Sequence, residues 1–124
     1  MALLDEAIIE GWRDPMGEVH VVIDRLIPAR RTPLRHVVHH SPDGFEWGYD
    51  GSGPADLALS ILVAVIGPEP TTAIFRRAIG KRAWDLHLSF KSDFVQAFAK
   101  RHWLITAGAV RAWIKEQREL EEQP

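Results

Sequence analysis

The sequence predicts an α+β domain: a small antiparallel sheet, made of an N-terminal hairpin plus one or two further strands, packed against three to four C-terminal helices. Three observations predict it. Alternating, β-branched segments with turn signals crowd into the first third of the chain, apolar segments with helical spacing follow residue 53, and hairpin-type links join the early elements with no strand–helix–strand alternation. At 124 residues the chain is long enough for a core without disulfide or metal staples. One domain is therefore expected over 1–124, with an acidic tail fraying over 115–124.

From the N-terminal end, "AIIEGWRDPMGEVHVVID" reads as two strands about Asp14-Pro15-Met16-Gly17. Pro presets the turn's φ there and Gly accepts a positive one. Val19, Val21 and Ile23 form the core face of the second strand. Leu26 to Arg35 holds two prolines, so it is expected to be an irregular connection or a sheet edge. His36 to His40 is read as a brief strand before the Ser41-Pro42-Asp43-Gly44 turn. Phe45, Trp47 and Tyr49 then alternate with Glu46 and Gly48, which predicts a strand with its aromatic face inward.

Gly53-Pro54 starts a helix, with Asp56 at its third position against unpaired N–H groups, and Gly67-Pro68 ends it. Leu57, Leu59, Ile61, Leu62, Val65 and Ile66 make that helix apolar on nearly every side, which predicts a central position. Thr71 to Ile79 reads as a short helix, divided by Gly80 from a longer one over Lys81 to Arg101 in which Leu86, Phe90, Phe94 and Ala97 recur at helical spacing. Thr106 caps a last helix running to about Glu121.

Several chemistries are excluded. With no cysteine there is no disulfide framework, thiolate nucleophile or cysteine-ligated zinc. The apolar stretch Ala55 to Ile66 falls short of the roughly 20 residues a membrane helix needs, and Asp5 and Glu6 interrupt any secretory core; a cytoplasmic protein is expected. Gly48 and Gly53 have the glycine spacing of a phosphate-binding loop, but Pro54-Ala55 stand where Lys and a hydroxyl residue are required. Asp56 stands where the dinucleotide pattern needs glycine, and Ser52 lacks the glycines of a nucleophile elbow. Phe45, Trp47, Tyr49, Gly51, Gly53, Pro54 and Asp56 are accordingly read as a structural strand-to-helix joint.

His36, His39 and His40 with Asp43 are the residues a metal site or general base would use. Adjacent strand residues face opposite ways, however, which sets His39 and His40 apart. Glu46, Asp50 and Asp56 are candidate acid/base carboxylates, read instead as a solvated strand face and a helix cap. No catalytic residue, metal or cofactor is assigned.

Five tryptophans in 124 residues point to core anchors and interfaces. Trp103 and Trp113 are expected to pack together and dock the last helix. Trp84 is expected to be exposed and, with Arg76, Arg77, Lys81 and Arg82, to face a protein partner. Binding another protein is the leading function read from the sequence. The alternative is a nucleic-acid-associated protein using Arg25, Arg30, Arg31 and Arg35 together with the Arg76/Arg77/Lys81/Arg82 group. The net charge of −2 weighs against it.

The string "HSPDGFEWGYDGSGPADLALSIL", with Leu34-Arg35 upstream and "WLITAGAVRAWI" near the end, resembles a family of small bacterial and phage proteins of unknown function. The resemblance runs over most of the chain. It is carried by Ser41, Pro42, Gly44, Phe45, Trp47, Gly48, Tyr49, Gly51, Ser52, Gly53 and Pro54, followed by the apolar helix from Leu57. It implies no established activity. It does imply an accessory role facing a host or its defences, because such proteins sit on plasmids, prophages and phages. Where this chain has Asp50 the family often has Gly, which argues against an essential carboxylate there.

Overall fold

Strands β1 (Ile8–Arg13), β2 (Val19–Leu26), β3 (Ala29–Pro33) and β6 (His102–Thr106) form an antiparallel sheet in the order β3-β2-β1-β6. A second hairpin, β4 (Thr71–Ile74) and β5 (Arg77–Gly80), stands apart from it, and the helices are α1 (Ser52–Ile66), α2 (Lys81–Asp93) and α3 (Ala107–Glu121). The computed structural model describes residues 3–74 and 77–122, Ile74 and Arg77 by backbone alone. The chain is α+β, as its sequence predicts.

The first hairpin forms as its sequence dictates. Gly17 takes φ 84°, and the Asp14 carboxylate accepts from the backbone N–H groups of Met16 and Glu18. Period-two alternation sends Ile9, Val21, Ile23, Trp103 and Ile105 to the inner face, where they share one core with α1. Gly11 pairs with Trp103 across β1 and β6. A Cβ at Gly11 would lie 2.5 Å from the Trp103 indole, so the missing side chain is what seats that ring.

α1 is buried without interruption from Gly53 to Leu62, in keeping with its apolar composition. It starts earlier than predicted, with Gly51 as cap and Pro54 inside the first turn, where a missing N–H costs nothing because the first N–H groups have no helical partner. Gly67 at φ 76° closes it, its N–H bonded to the Val63 carbonyl. Thr106 caps α3 as predicted, Oγ1 accepting from the Ala109 N–H at 3.0 Å.

Four expectations are corrected, and one strand, His102–Thr106, is unexpected. Thr71 to Ile79 is not a helix: β4 pairs with β5, from Thr71 opposite Gly80 to Ile74 opposite Arg77, consistent with β-branched residues between prolines and a glycine. The long helix stops at Asp93, followed by a single 3-10 turn, Val95–Ala97. His102 to Thr106 is a strand with Trp103 and Ile105 inward and His102 and Leu104 outward. Neither His36 to His40 nor Phe45 to Tyr49 is a strand. In the aromatic segment Trp47 is fully buried, Phe45 half-buried and Tyr49 46% exposed.

The tryptophans also pair differently. Trp103 lies edge-on to Trp47 and stacks on Phe98 at 4.2 Å between centroids. Trp113 instead meets Phe90 and Phe94 and donates Nε1–H to Asp93 at 2.8 Å. That contact docks α3 on α2.

Candidate functional site

Asp56 organises the residues that look most chemical. Its fully buried carboxylate accepts the backbone N–H groups of His39, His40 (2.7 Å) and Ser41 (3.0 Å) and the His36 Nε2 at 2.8 Å. One helical turn on, the Ser60 hydroxyl accepts the Val37 N–H. Helix side chains thus take the donors that a strand ladder would have used, which is why 36–41 runs as irregular chain. Burial pushes the Asp56 carboxyl up, but the His40 and Ser41 N–H groups, the His36 ring and the His39 N–H together hold it below the usual carboxylate value. Asp56 does not cap α1, as its position in the sequence suggests; it caps the loop.

Around that loop His39, His40, His87 and Trp84 form one aromatic cluster. His87 Nδ1 meets the Trp84 carbonyl at 2.6 Å, and a carbonyl only accepts, so Nδ1 carries the proton. His87 Nε2 therefore accepts from His40 Nε2–H at 3.1 Å. Burial, with neighbouring histidines adding to it, lowers the pKa of both rings. His87 stands 47 residues from His40, too far along the chain for spacing alone to join them. Trp84 is half-buried within this cluster, not exposed.

Among the described residues, the candidate ligands named from the sequence do not converge as a set of three, and the candidate carboxylates lie apart from one another. Among the described residues, the group with three potential ligand atoms within 4.8 Å of one another is Asp14, Glu18 and His20 on the β1–β2 turn; the predicted His36, His39, His40 and Asp43 make none. The three candidate carboxylates diverge. Glu46 is gripped by both terminal nitrogens of Arg13 on β1, Asp50 pairs with Lys91 on α2 at 2.6 Å, and Asp56 faces the loop. The Arg13 guanidinium holds the Glu46 carboxyl below its usual range and lies 4.8 Å over the Trp47 ring. Trp47 Nε1–H and Arg13 Nε–H both donate to the Lys100 carbonyl. The joint from Phe45 to Asp56 is thus bolted to β1 and to the segment before β6.

The arginine run is split by strand alternation. Arg31 sits opposite Asp24 on the outer sheet face, bonded to Asp24 and Glu10, so its charge is matched. Arg25 sits opposite Arg30 on the other face. Arg25 donates to the Thr32 hydroxyl at 2.8 Å, and among the described residues neither Arg25, Arg30 nor Arg35 has a carboxylate partner. Arg25 and Arg30 flank a cleft of about 640 Å3 walled by Leu3, Leu4, Ala7, Leu26, Ile27 and Pro28. Glu6 stands on the same rim. Leu4, Leu26 and Ile27 are 59%, 58% and 80% exposed, so apolar side chains cluster in the open here, whereas Trp84 is half-buried.

Of the second basic group, Arg76 and the Arg77 side chain lie outside the described residues. Lys81 pairs with Asp85 at 2.8 Å, and Arg82 is exposed. No helix among the described residues is long and apolar enough to cross a membrane.

Fold and site together define a small α+β protein with a loop held by the buried Asp56 carboxylate and an open, arginine-flanked sheet edge. The chain belongs to a family of unknown function, DUF6166, whose model matches residues 9–73, from β1 through α1 into β4. No curated protein and no solved structure matches it.

Proposed function

We propose that the protein is a non-enzymatic binding protein that docks a segment of another protein on the edge formed by the β2–β3 turn and the Leu3-to-Ala7 stretch. The observation that carries this reading is the exposed Leu4, Leu26 and Ile27 around the cleft, with Arg25 and Arg30 on its rim and no carboxylate paired to either among the described residues. Contiguous exposed apolar surface rimmed by polar groups marks interaction sites, and arginine is favoured at them over lysine. The complementary segment carries an apolar side chain for the cleft and a carboxylate for the arginines. A cytoplasmic accessory role in a phage or other mobile element, implied by the resemblance of the Ser41-to-Pro54 signature, belongs to the same reading.

A photo-crosslinking residue at position 27, compared with one at the equally exposed Met16 on the opposite turn, tests it in the native host. A discrete protein adduct is expected at 27 and not at 16, and Arg30→Glu is expected to weaken it. Equal adducts at both positions, or none at 27, refute the reading.

A nucleic-acid partner is the second reading, supported by Arg25, Arg30 and Arg35, which have no carboxylate partner among the described residues. The matched charge of Arg31 reduces that edge to fewer phosphate contacts than the sequence run suggests. Binding that does not fall steeply between low and moderate salt removes this alternative.

A further inference from the structure

Arg25 also lines a second cleft, of about 540 Å3, between the β2–β3 edge, α1 and the β4–β5 hairpin. Its size is that of small-molecule sites, which are mainly apolar with a few convergent polar groups. Leu34, Val37, Val63, Ala64 and Pro68 supply the apolar wall, and Arg25 and Arg35 supply two cations. Thr32 Oγ1 accepts one Arg25 N–H, which fixes the guanidinium and leaves its other donors to a ligand. Glu69 also borders the cleft, but its two oxygens accept the Arg82 and Ala83 N–H groups at the first turn of α2. Its charge is matched by the helix N-terminus and still disfavours a multiply charged guest.

We propose that this cleft binds a small amphiphilic monoanion, a carboxylate on a compact apolar body. The carboxylate lies against Arg25 and Arg35, where guanidinium donors match its geometry, and the body lies against Leu34, Val37, Val63 and Ala64. The cleft shares Arg25 with the protein-docking edge but is otherwise lined by different residues, and the proposal does not rest on that reading.

Calorimetry and ligand-observed NMR with octanoate test it, with acetate and octylammonium as the head-only and wrong-charge probes. Octanoate is expected to bind at a single saturable site, and both controls at least about tenfold more weakly. Arg35→Ala, an exposed position whose loss leaves the core intact, is expected to weaken octanoate about tenfold, the worth of one charge-assisted contact. Ala64→Phe is expected to abolish binding by filling the cleft, and Ile27→Asp to leave it unchanged. The proposal is overturned by octylammonium binding as well as octanoate, by wild-type affinity in Arg35→Ala or Ala64→Phe with the circular dichroism unchanged, by loss of binding in Ile27→Asp, or by no octanoate binding at millimolar concentration.

Discussion

Asp56→Ala tests whether the loop from His36 to Ser41 is held by one carboxylate. The substitution removes the acceptor of three backbone N–H groups, those of His39, His40 and Ser41, and of the His36 ring. A buried donor left without its partner costs about 1–3 kcal/mol, and water entering the vacated volume offsets part of this. Three such donors place the loss at about 3–5 kcal/mol. At about 4 °C per kcal/mol for a chain of this size, that lowers Tm by about 12–20 °C. Asp56→Asn is expected to lose more than half as much, because its amide turns N–H groups toward N–H groups.

The measurement is urea unfolding at neutral pH with thermal melts beside it. Acid unfolding adds a sign. The folded Asp56 carboxyl lies below its usual value, so its contribution is present above the unfolded pKa of about 3.9 and is lost as pH falls through the lower folded value. The wild type should therefore lose stability in acid more steeply than Asp56→Ala. A variant within about 1 kcal/mol of wild type, or an unchanged acid limb, would refute the argument.

Two further predictions rest on other parts of the fold. Gly11→Ala drives a Cβ to 2.5 Å from the buried Trp103 indole and is expected to cost about 1–3 kcal/mol by overpacking, read as a lower urea midpoint with an altered tryptophan emission; an unchanged midpoint would show that the ring has room to move. The His40 and His87 rings have lowered pKa values in the fold, so their contribution is complete above the unfolded value of about 6.5 and is lost as pH falls through the folded values. The urea midpoint should decline as pH drops below about 6.5, and His87→Leu should make the decline shallower; an equally steep decline in both proteins contradicts the assignment.

What the sequence reveals and what it hides separate along physical lines. Local signals are reliable: the Asp14-to-Gly17 turn, the Gly67 stop and the Thr106 cap each depend on chemistry within a few residues and are present. Failures occur where a distant partner decides. The backbone of 36–41 has strand-like composition, but Asp56 and Ser60, 15 to 23 residues away, take its donors. The spacing of Leu86, Phe90 and Phe94 extrapolates past Asp93, although the alternation from His102 to Thr106 was available as a strand signal. The arginine run shows the same limit, because only the β2–β3 register reveals that Arg31 faces Asp24 while Arg25 and Arg30 share the opposite face.

Packing accounts for the residues of the joint one by one. Gly53 has no room for a Cβ beside the Glu46 backbone and side chain, whereas at Gly51 a Cβ would meet only the exposed Tyr49 ring. Gly48 needs its φ of 85° where the chain donates to the Val95 carbonyl, and Trp47 is spent on the core and on Lys100. Gly53, Gly48 and Trp47 each have a part in closing the joint onto β1, α1 and the segment before β6. The proposed docking edge is built from other side chains. Among the described residues Arg25, Arg30 and Arg35 are cations without carboxylate partners, Leu26 and Ile27 are exposed apolar side chains, and all five lie in or just after the β2–β3 hairpin, within the matched residues 9–73.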